Sequence, residues 1–203
     1  ATESNVTKSA KPKGLQAYLL AMKPAIEAAL PSVMTPERFT RIVTSALSNN
    51  PTLAQCSPQS FLGAMMTAAQ LGVEPNTPLG QAYLLPYKNN KAGTIECQFQ
   101  LGYRGLIDLA YRSGEIATIQ AHAVHEKDTF EFEYGLNPKL RHIPARGDRG
   151  EAVYYYAAFS TKNGGQFFAV ASVDDLIAHA KKYSKSYNYG PWQTNFDEMA
   201  KKT

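Results

Sequence analysis

Three stretches of this chain set cations beside aromatic rings and amides. In the first, Tyr83 and Tyr87 lead into Lys88 and Lys91. The second runs Gln98-Phe99-Gln100-Leu101-Gly102-Tyr103-Arg104-Gly105, with Asp108 and Arg112 following Arg104 at helical intervals. The third is Lys181-Lys182-Tyr183-Ser184-Lys185-Ser186-Tyr187-Asn188-Tyr189-Gly190-Pro191-Trp192. Cations and amide N–H groups neutralise phosphates, and flat side chains stack on bases of any identity. This is the chemistry of a surface that holds a single nucleic-acid strand. Gly102 and Gly105 admit close backbone approach, and the helix start beside them offers free N–H groups to an anion.

Each stretch also has a plainer reading. Lysines are common in turns. Asp108 stands between Arg104 and Arg112 at i, i+4 and i+8 and can pair with both. Lys181 and Lys182 suit the negative end of a helix dipole. That argument does not reach Lys185 or the run of tyrosines. Trp192 and Phe196, at i and i+4, read as a core anchor and not as a stacking platform.

Residues for bond chemistry do not assemble. The chain has no G-x-x-x-x-G-K-[ST] phosphate loop and no G-x-S-x-G nucleophile elbow, and Gly102-Tyr103-Arg104-Gly105 is too short for a dinucleotide fingerprint. A Glu-x-Lys tripeptide, common in metal nucleases, is missing as well. His122 and His125, three apart on a strand, are expected on opposite faces and make a poor metal pair. Glu131 and Glu133 share a strand face and could hold a cation; the simpler account is a strand with a solvated face. No catalytic residue, metal ligand or cofactor is expected.

The elements that must position these residues follow from periodicity and punctuation. A helix is expected over 15–30, kinked near Pro24. Thr35-Pro36-Glu37 and Ser57-Pro58 each open a further helix, the second stopped by Gly72. A stiff loop, 73–78, precedes strands at 81–87 and 94–101, joined by the Asn/Gly turn 88–93. A helix over 103–113 follows, then strands at 116–125, 129–134, 152–160 and 166–171. Ser172-Val173-Asp174-Asp175 resembles a capping box, opening a helix to about Tyr183. A last helix is expected from about 194, and the sequence stops without a C-cap, as though inside it. Helices, then strands, then helices make the fold class α+β.

Composition bounds the rest. The 203 residues are 44% hydrophobic, enough for a core, and the net charge of +4 permits a polyanion partner without demanding one. Residues 1–13 read as a flexible arm without a secretory signal, and 14–203 as one domain. Cys56 and Cys97 form no C-x-x-C pair, which suits a reducing compartment. No apolar run is long enough for a membrane span.

Three blocks then carry a resemblance. Gln70-Leu71-Gly72-Val73-Glu74-Pro75 with Leu79-Gly80-Gln81-Ala82-Tyr83-Leu84-Leu85-Pro86-Tyr87 is the first. Gln100-Leu101-Gly102-Tyr103-Arg104-Gly105-Leu106-Ile107-Asp108-Leu109-Ala110 with Arg112-Ser113-Gly114 is the second. Gly190-Pro191-Trp192 and Glu198-Met199-Ala200-Lys201-Lys202-Thr203 form the third. In this order they resemble the RecT-type phage recombinases, from about residue 15 to the end. The resemblance implies an ATP-independent protein, not an enzyme, that coats single-stranded DNA as a ring or helical filament and anneals it to a complementary strand. It also implies a bacterial cytoplasm, a phage exonuclease and a host single-strand binding protein as partners, and a further C-terminal segment in other members. The expected DNA contacts are Lys88, Lys91, Gln98, Gln100, Tyr103, Arg104, Arg112, Lys181, Lys182, Lys185, Tyr187, Lys201 and Lys202, and a narrow basic groove is expected to be lined by the hairpin, the Tyr103–Arg104 turn and the Lys181–Lys185 region. Helices over 14–72 are expected to make subunit contacts. The alternatives are a plain single-strand binding protein, a metal nuclease using Glu131 and Glu133, and a structural phage oligomer.

Overall fold

The structure, a computed structural model, describes residues 14–30 and 34–203. The arm expected over 1–13 lies outside the described residues. The fold is α+β, as expected, and its contacts group into two compact units divided after Leu109.

The first unit begins with α1 (Leu15–Ala21) and α2 (Lys23–Ala29). The expected kink is a break at Met22, and Pro24 sits in the first turn of α2, where a missing N–H costs nothing. Helix α3 (Pro36–Asn49) starts on the Thr35 side chain, which accepts the Arg38 amide; α4 (Pro58–Leu71) starts in the same way on Ser57. Gly72 ends α4 in the left-handed region, φ 62°, where a side chain would be strained. A 3-10 turn, Pro51–Gln55, which no sequence signal announces, links α3 to α4. The core gathers Phe39, Ile42, Ala46, Leu53, Phe61 and Met65 from these elements.

Strands β1 (Ala82–Asn89) and β2 (Thr94–Leu101) form an antiparallel hairpin. Its register fixes its two faces. Leu84 opposite Phe99, and Ala82 opposite Leu101, pack inward. Tyr83 opposite Gln100, Leu85 opposite Gln98, and Tyr87 opposite Glu96 point away. The hairpin is tied to the start of α4 by two hydrogen bonds: Ser57 N donates to Ile95 O at 2.7 Å, and Cys97 N to Ser60 Oγ at 2.9 Å. Helix α5 (Tyr103–Arg112) begins in this unit.

In the second unit β3 (Ile116–His125), β6 (Ala152–Thr161) and β7 (Gln166–Ser172) form an antiparallel sheet in the order β3–β6–β7. Helices α6 (Val173–Tyr183) and α8 (Phe196–Lys202) pack on it through Leu176, Ala200 and Phe196 against Tyr155. The capping box at Ser172 forms with both of its hydrogen bonds. Short α7 (Pro191–Thr194) buries Trp192, whose ring meets Phe196 at 5.6 Å, so the anchor reading of that pair holds.

A second hairpin, β4 (Thr129–Glu133) with β5 (Lys139–Ile143), brings Phe130 onto the Tyr156 ring at 5.8 Å. Strand β5 has no strand signature in sequence, because Lys-Leu-Arg-His-Ile buries only Leu140 and His142, and those in part. Tyrosine hydroxyls accept backbone donors from both outer strands of the sheet. Tyr111 takes Ile119 N at 3.1 Å, and Tyr134 takes Val170 N at 3.0 Å. Sheet edges so occupied are poor templates for a stray strand.

Candidate nucleic-acid interface

In the first unit the loop before β1 is held by Asn76, which adopts φ 57°. Its Oδ1 accepts Leu84 N at 2.9 Å, and its own amide donates to Ala82 O at 3.0 Å. Asparagine tolerates this left-handed conformation because its side chain bonds locally. The chain then turns through Gly80 (φ 65°) into β1, and β2 leads through Gly102 into α5. The two turns touch. Gly102 N donates to Gln81 O at 2.8 Å, and a Cβ on Gly102 would stand 2.4 Å from Gly80 O. Only glycine lets the backbones approach so closely.

This knot sets Tyr103 and Arg104 at the start of α5. Tyr103 is half-buried and Arg104 exposed. Arg104 Nε donates to the Tyr103 hydroxyl at 3.1 Å, and its guanidinium carbon lies 5.8 Å from the Tyr103 ring centroid. Gln81 Nε2 donates to Asp108 Oδ2 at 3.3 Å, tying the same turn to the next turn of the helix. Beside it runs the outward face of the hairpin: Gln98 and Gln100 are exposed, with Tyr83, Leu85 and Tyr87 across from them. Leu85, 42% exposed, is part of this surface although the reading from residue types passed over it. Its signal was the alternation Tyr83, Leu85, Tyr87. At the tip, Asn89 Oδ1 accepts the amides of Lys91 and Ala92, both at 3.1 Å, leaving Lys88 and Lys91 exposed.

The second unit carries the other lysines. Lys181 and Lys182 occupy the last turn of α6, both exposed. Lys182 Nζ lies 5.1 Å from the Tyr183 ring centroid, and Lys181 Nζ 5.9 Å from that of Tyr187. The loop after them is tight: Gly190 N donates to Ser186 O at 2.7 Å, and the Tyr189 hydroxyl donates to Lys185 O at 3.3 Å. Lys185 is exposed and Tyr187 half-buried. Cations and rings are thus interleaved in space as well as in sequence. Arg112, Lys201 and Lys202 are exposed, and Lys201 pairs with Asp197 at 2.6 Å.

The residues weighed for metal chemistry are otherwise engaged. Glu131 and Glu133 stand opposite Arg141 and Lys139 across β4–β5, with ion pairs at 4.0 and 3.7 Å. The expectation that His122 and His125 face opposite ways needs correction. A β-bulge between Val124 and His125 breaks the alternation, and both histidines line one cavity. Even so, among the described residues no group of three or more His, Cys, Asp or Glu is arranged to hold a metal ion.

A buried polar cluster in the second unit has no signature in the sequence. The Asp128 carboxylate is wholly buried and accepts His125 N at 2.8 Å, Ala145 N at 2.9 Å, His142 Nε2 at 3.0 Å, and both Nε and Nη2 of Arg149. The Arg149 guanidinium above all, with His142 and the two amides, holds this carboxyl far below the usual carboxylate range. Nearby, burial and the Asp197 carboxylate push Tyr155 up to about 12. No sequence pattern joins Asp128 to Arg149, 21 residues further along the chain.

None of the helices among the described residues is long and apolar enough to cross a membrane. The RecT family profile matches residues 37–203. The chain is 45% identical over 184 residues to Protein RecT of Escherichia coli strain K12, a match covering 90% of this chain and 68% of that protein. It is 32% identical over 169 residues to the uncharacterized protein YqaK of Bacillus subtilis strain 168, covering 82% of this chain and 55% of that one. The chain thus spans between about half and two thirds of the length of these relatives. On a profile match over most of its length and an identity of this extent, the chain belongs to the RecT family.

Proposed function

We propose that this chain binds single-stranded DNA and anneals it to a complementary strand, without nucleotide hydrolysis, in phage-type homologous recombination. Annealing makes and breaks no covalent bond. Its barrier is the repulsion of two polyanions and the search for register, so a protein acts by neutralising phosphates and leaving base edges accessible. The observation that carries the reading is the exposed Tyr83–Leu85–Tyr87 and Gln98–Gln100 face beside Arg104, set by the glycine knot in the blocks that resemble the family. Rings and amides suit bases; Lys88, Lys91, Tyr103 and Arg104 suit the phosphates beside them. In the second unit Lys181, Lys182, Lys185 and Tyr187 offer the same pairing of charge and ring. Arg112, Lys201 and Lys202 are further cations for the same strand.

On this reading residues 14–203 act as one DNA-binding module that self-associates into a ring or filament. The helices over 14–72 supply subunit contacts, and the setting is a bacterial cytoplasm. A phage exonuclease and the host single-strand binding protein are the expected partners.

The test mixes the chain with one labelled strand, adds its complement without nucleotide, and measures pairing after the protein is stripped away. Pairing much faster than the protein-free control, and absent with a scrambled second strand, supports annealing. Binding without faster pairing reduces the function to single-strand binding.

A further inference from the structure

We infer that the polar cavity beside the Asp128 cluster in the second unit binds a phosphate group. The cavity, of 520 Å³, is lined by His122, His125 and Ala123 from β3, His142 from β5, and Pro144 and Arg149 from the segment after it. Tyr156 from β6 and Asp197 and Lys201 from α8 complete the wall. Cationic and imidazole nitrogens dominate that wall. None of its residues belongs to the hairpin and Arg104 surface of the first unit, and only Lys201 is shared with the cations proposed for the strand.

The hydrogen bonds show which of these nitrogens are committed. Arg149 uses Nε and Nη2 on Asp128, and Nη2 again on Ala123 O at 3.2 Å. Its guanidinium plane is thereby fixed, and Nη1 makes no hydrogen bond among the described residues. His125 donates from Nδ1 to Gly150 O at 2.8 Å, so in the neutral ring Nε2 is a lone pair that can report on the cavity but does not donate to an anion. His122 uses only Nε2, toward Gln120 Oε1 at 3.3 Å. His142 is wall and not ligand, with Nε2 on Asp128 and Nδ1 on the Tyr156 hydroxyl at 3.3 Å.

Of the two carboxylates, only Asp197 lines the cavity, and its charge is offset by Lys201. Asp128 is wholly buried and satisfied by its own donors, so the cavity meets the guanidinium and not the carboxylate. Asp197 is held by Lys201, and an ammonium group has further N–H donors to offer. A guanidinium edge pinned by a buried acid, with a second cation at the rim, suits the tetrahedral oxygens of a phosphate. The volume leaves room for an attached sugar.

Diethyl pyrocarbonate footprinting of the whole chain, read by mass spectrometry, tests this. His122 and His125 report on the cavity, while exposed His179 on α6 lies outside it and serves as internal control. Inorganic phosphate is expected to protect His122 and His125 saturably and to spare His179, while chloride at equal ionic strength protects neither. Lys201→Gln should raise the half-protecting concentration about tenfold, the loss of one charge-assisted hydrogen bond. Arg149→Lys should do the same if thermal melting shows it folded. Oligothymidylate with a 5′-phosphate and the same strand with a 5′-hydroxyl separate the sources. Protection by the first alone assigns a strand terminus, by both a backbone phosphodiester, and by inorganic phosphate alone a free phosphate compound. Absent protection at His122, equal protection at His179, or an undiminished response in Lys201→Gln overturns the inference. No annealing is read, so its failure is distinct from failure of the proposed function.

Discussion

Gln81 and Gly105 meet backbone to backbone: a Cβ on Gly105 would stand 2.2 Å from the Gln81 carbonyl oxygen. Backbone cannot swing aside as a long side chain can. Gly105→Ala must therefore push the start of α5 off the β1 turn, at about 1–3 kcal/mol by the general cost of overpacking. Gly63, on the exposed side of α4, has nothing within 4 Å of its would-be Cβ. There alanine should stabilise by about 0.5–1 kcal/mol. Denaturant melts of the two variants should move in opposite directions, and only Gly105→Ala should weaken oligothymidylate binding.

Lys182→Ala and Lys185→Ala should each weaken binding to all sequences alike. Each should also reduce the slope of log affinity against log salt by about 0.7 to 1. Fluorescence anisotropy with labelled oligothymidylate over a salt series measures this. An unchanged slope removes that lysine from the interface. Arg104→Ala should cost more than either, because Arg104 is oriented by the Tyr103 hydroxyl.

Tyr87, 49% exposed on the outward hairpin face, should behave differently. Tyr87→Ala removes a ring and no charge. Affinity should fall by about 1–3 kcal/mol, the usual worth of a base on an aromatic platform, while the salt slope stays as it was. A changed slope with unchanged affinity would contradict a stacking role.

Asp128 should govern acid stability. Its folded-state carboxyl titrates far below the unfolded value near 4, so its contribution is fully present above that value and is lost as pH falls below it. Asp148 and Asp175, lowered by Lys127 and Ser172 respectively, act in the same direction. Melting temperature should drop steeply below about pH 4 in the parent chain. In Asp128→Asn it should start lower at neutral pH and fall less on acidification.

Cys56 and Cys97 are both buried in the core of the first unit. Burial, with the neighbouring Cys56 thiol, pushes Cys97 up to about 12, and burial raises Cys56 as well. Since the thiolate is the reactive form, Ellman's reagent should modify neither at pH 8 in the folded protein. Modification should proceed at the unfolding rate, and fast labelling would show that this core opens locally.

Local rules gave much of this molecule away. Thr35-Pro36 and Ser57-Pro58 started helices because a hydroxyl and a proline satisfy a helix start from within four residues of sequence. Alternation placed Gln98 and Gln100 on one face of β2, and the glycines of the second block marked a close approach that the Gly102–Gln81 hydrogen bond makes concrete. What spacing could not reach was pairing across distance. Asp128 finds Arg149 and His142 only because β4–β5 folds back toward β6. The bulge at Val124 turns His125 into the same cavity as His122, against their alternation. The sequence determined the α+β class, the element starts and the interleaving of charge with rings, because those depend on neighbours along the chain. Tertiary structure alone decided which ions are buried, which cations are engaged and what shares a cavity, because a buried charge is tolerable only where separate segments converge to solvate it.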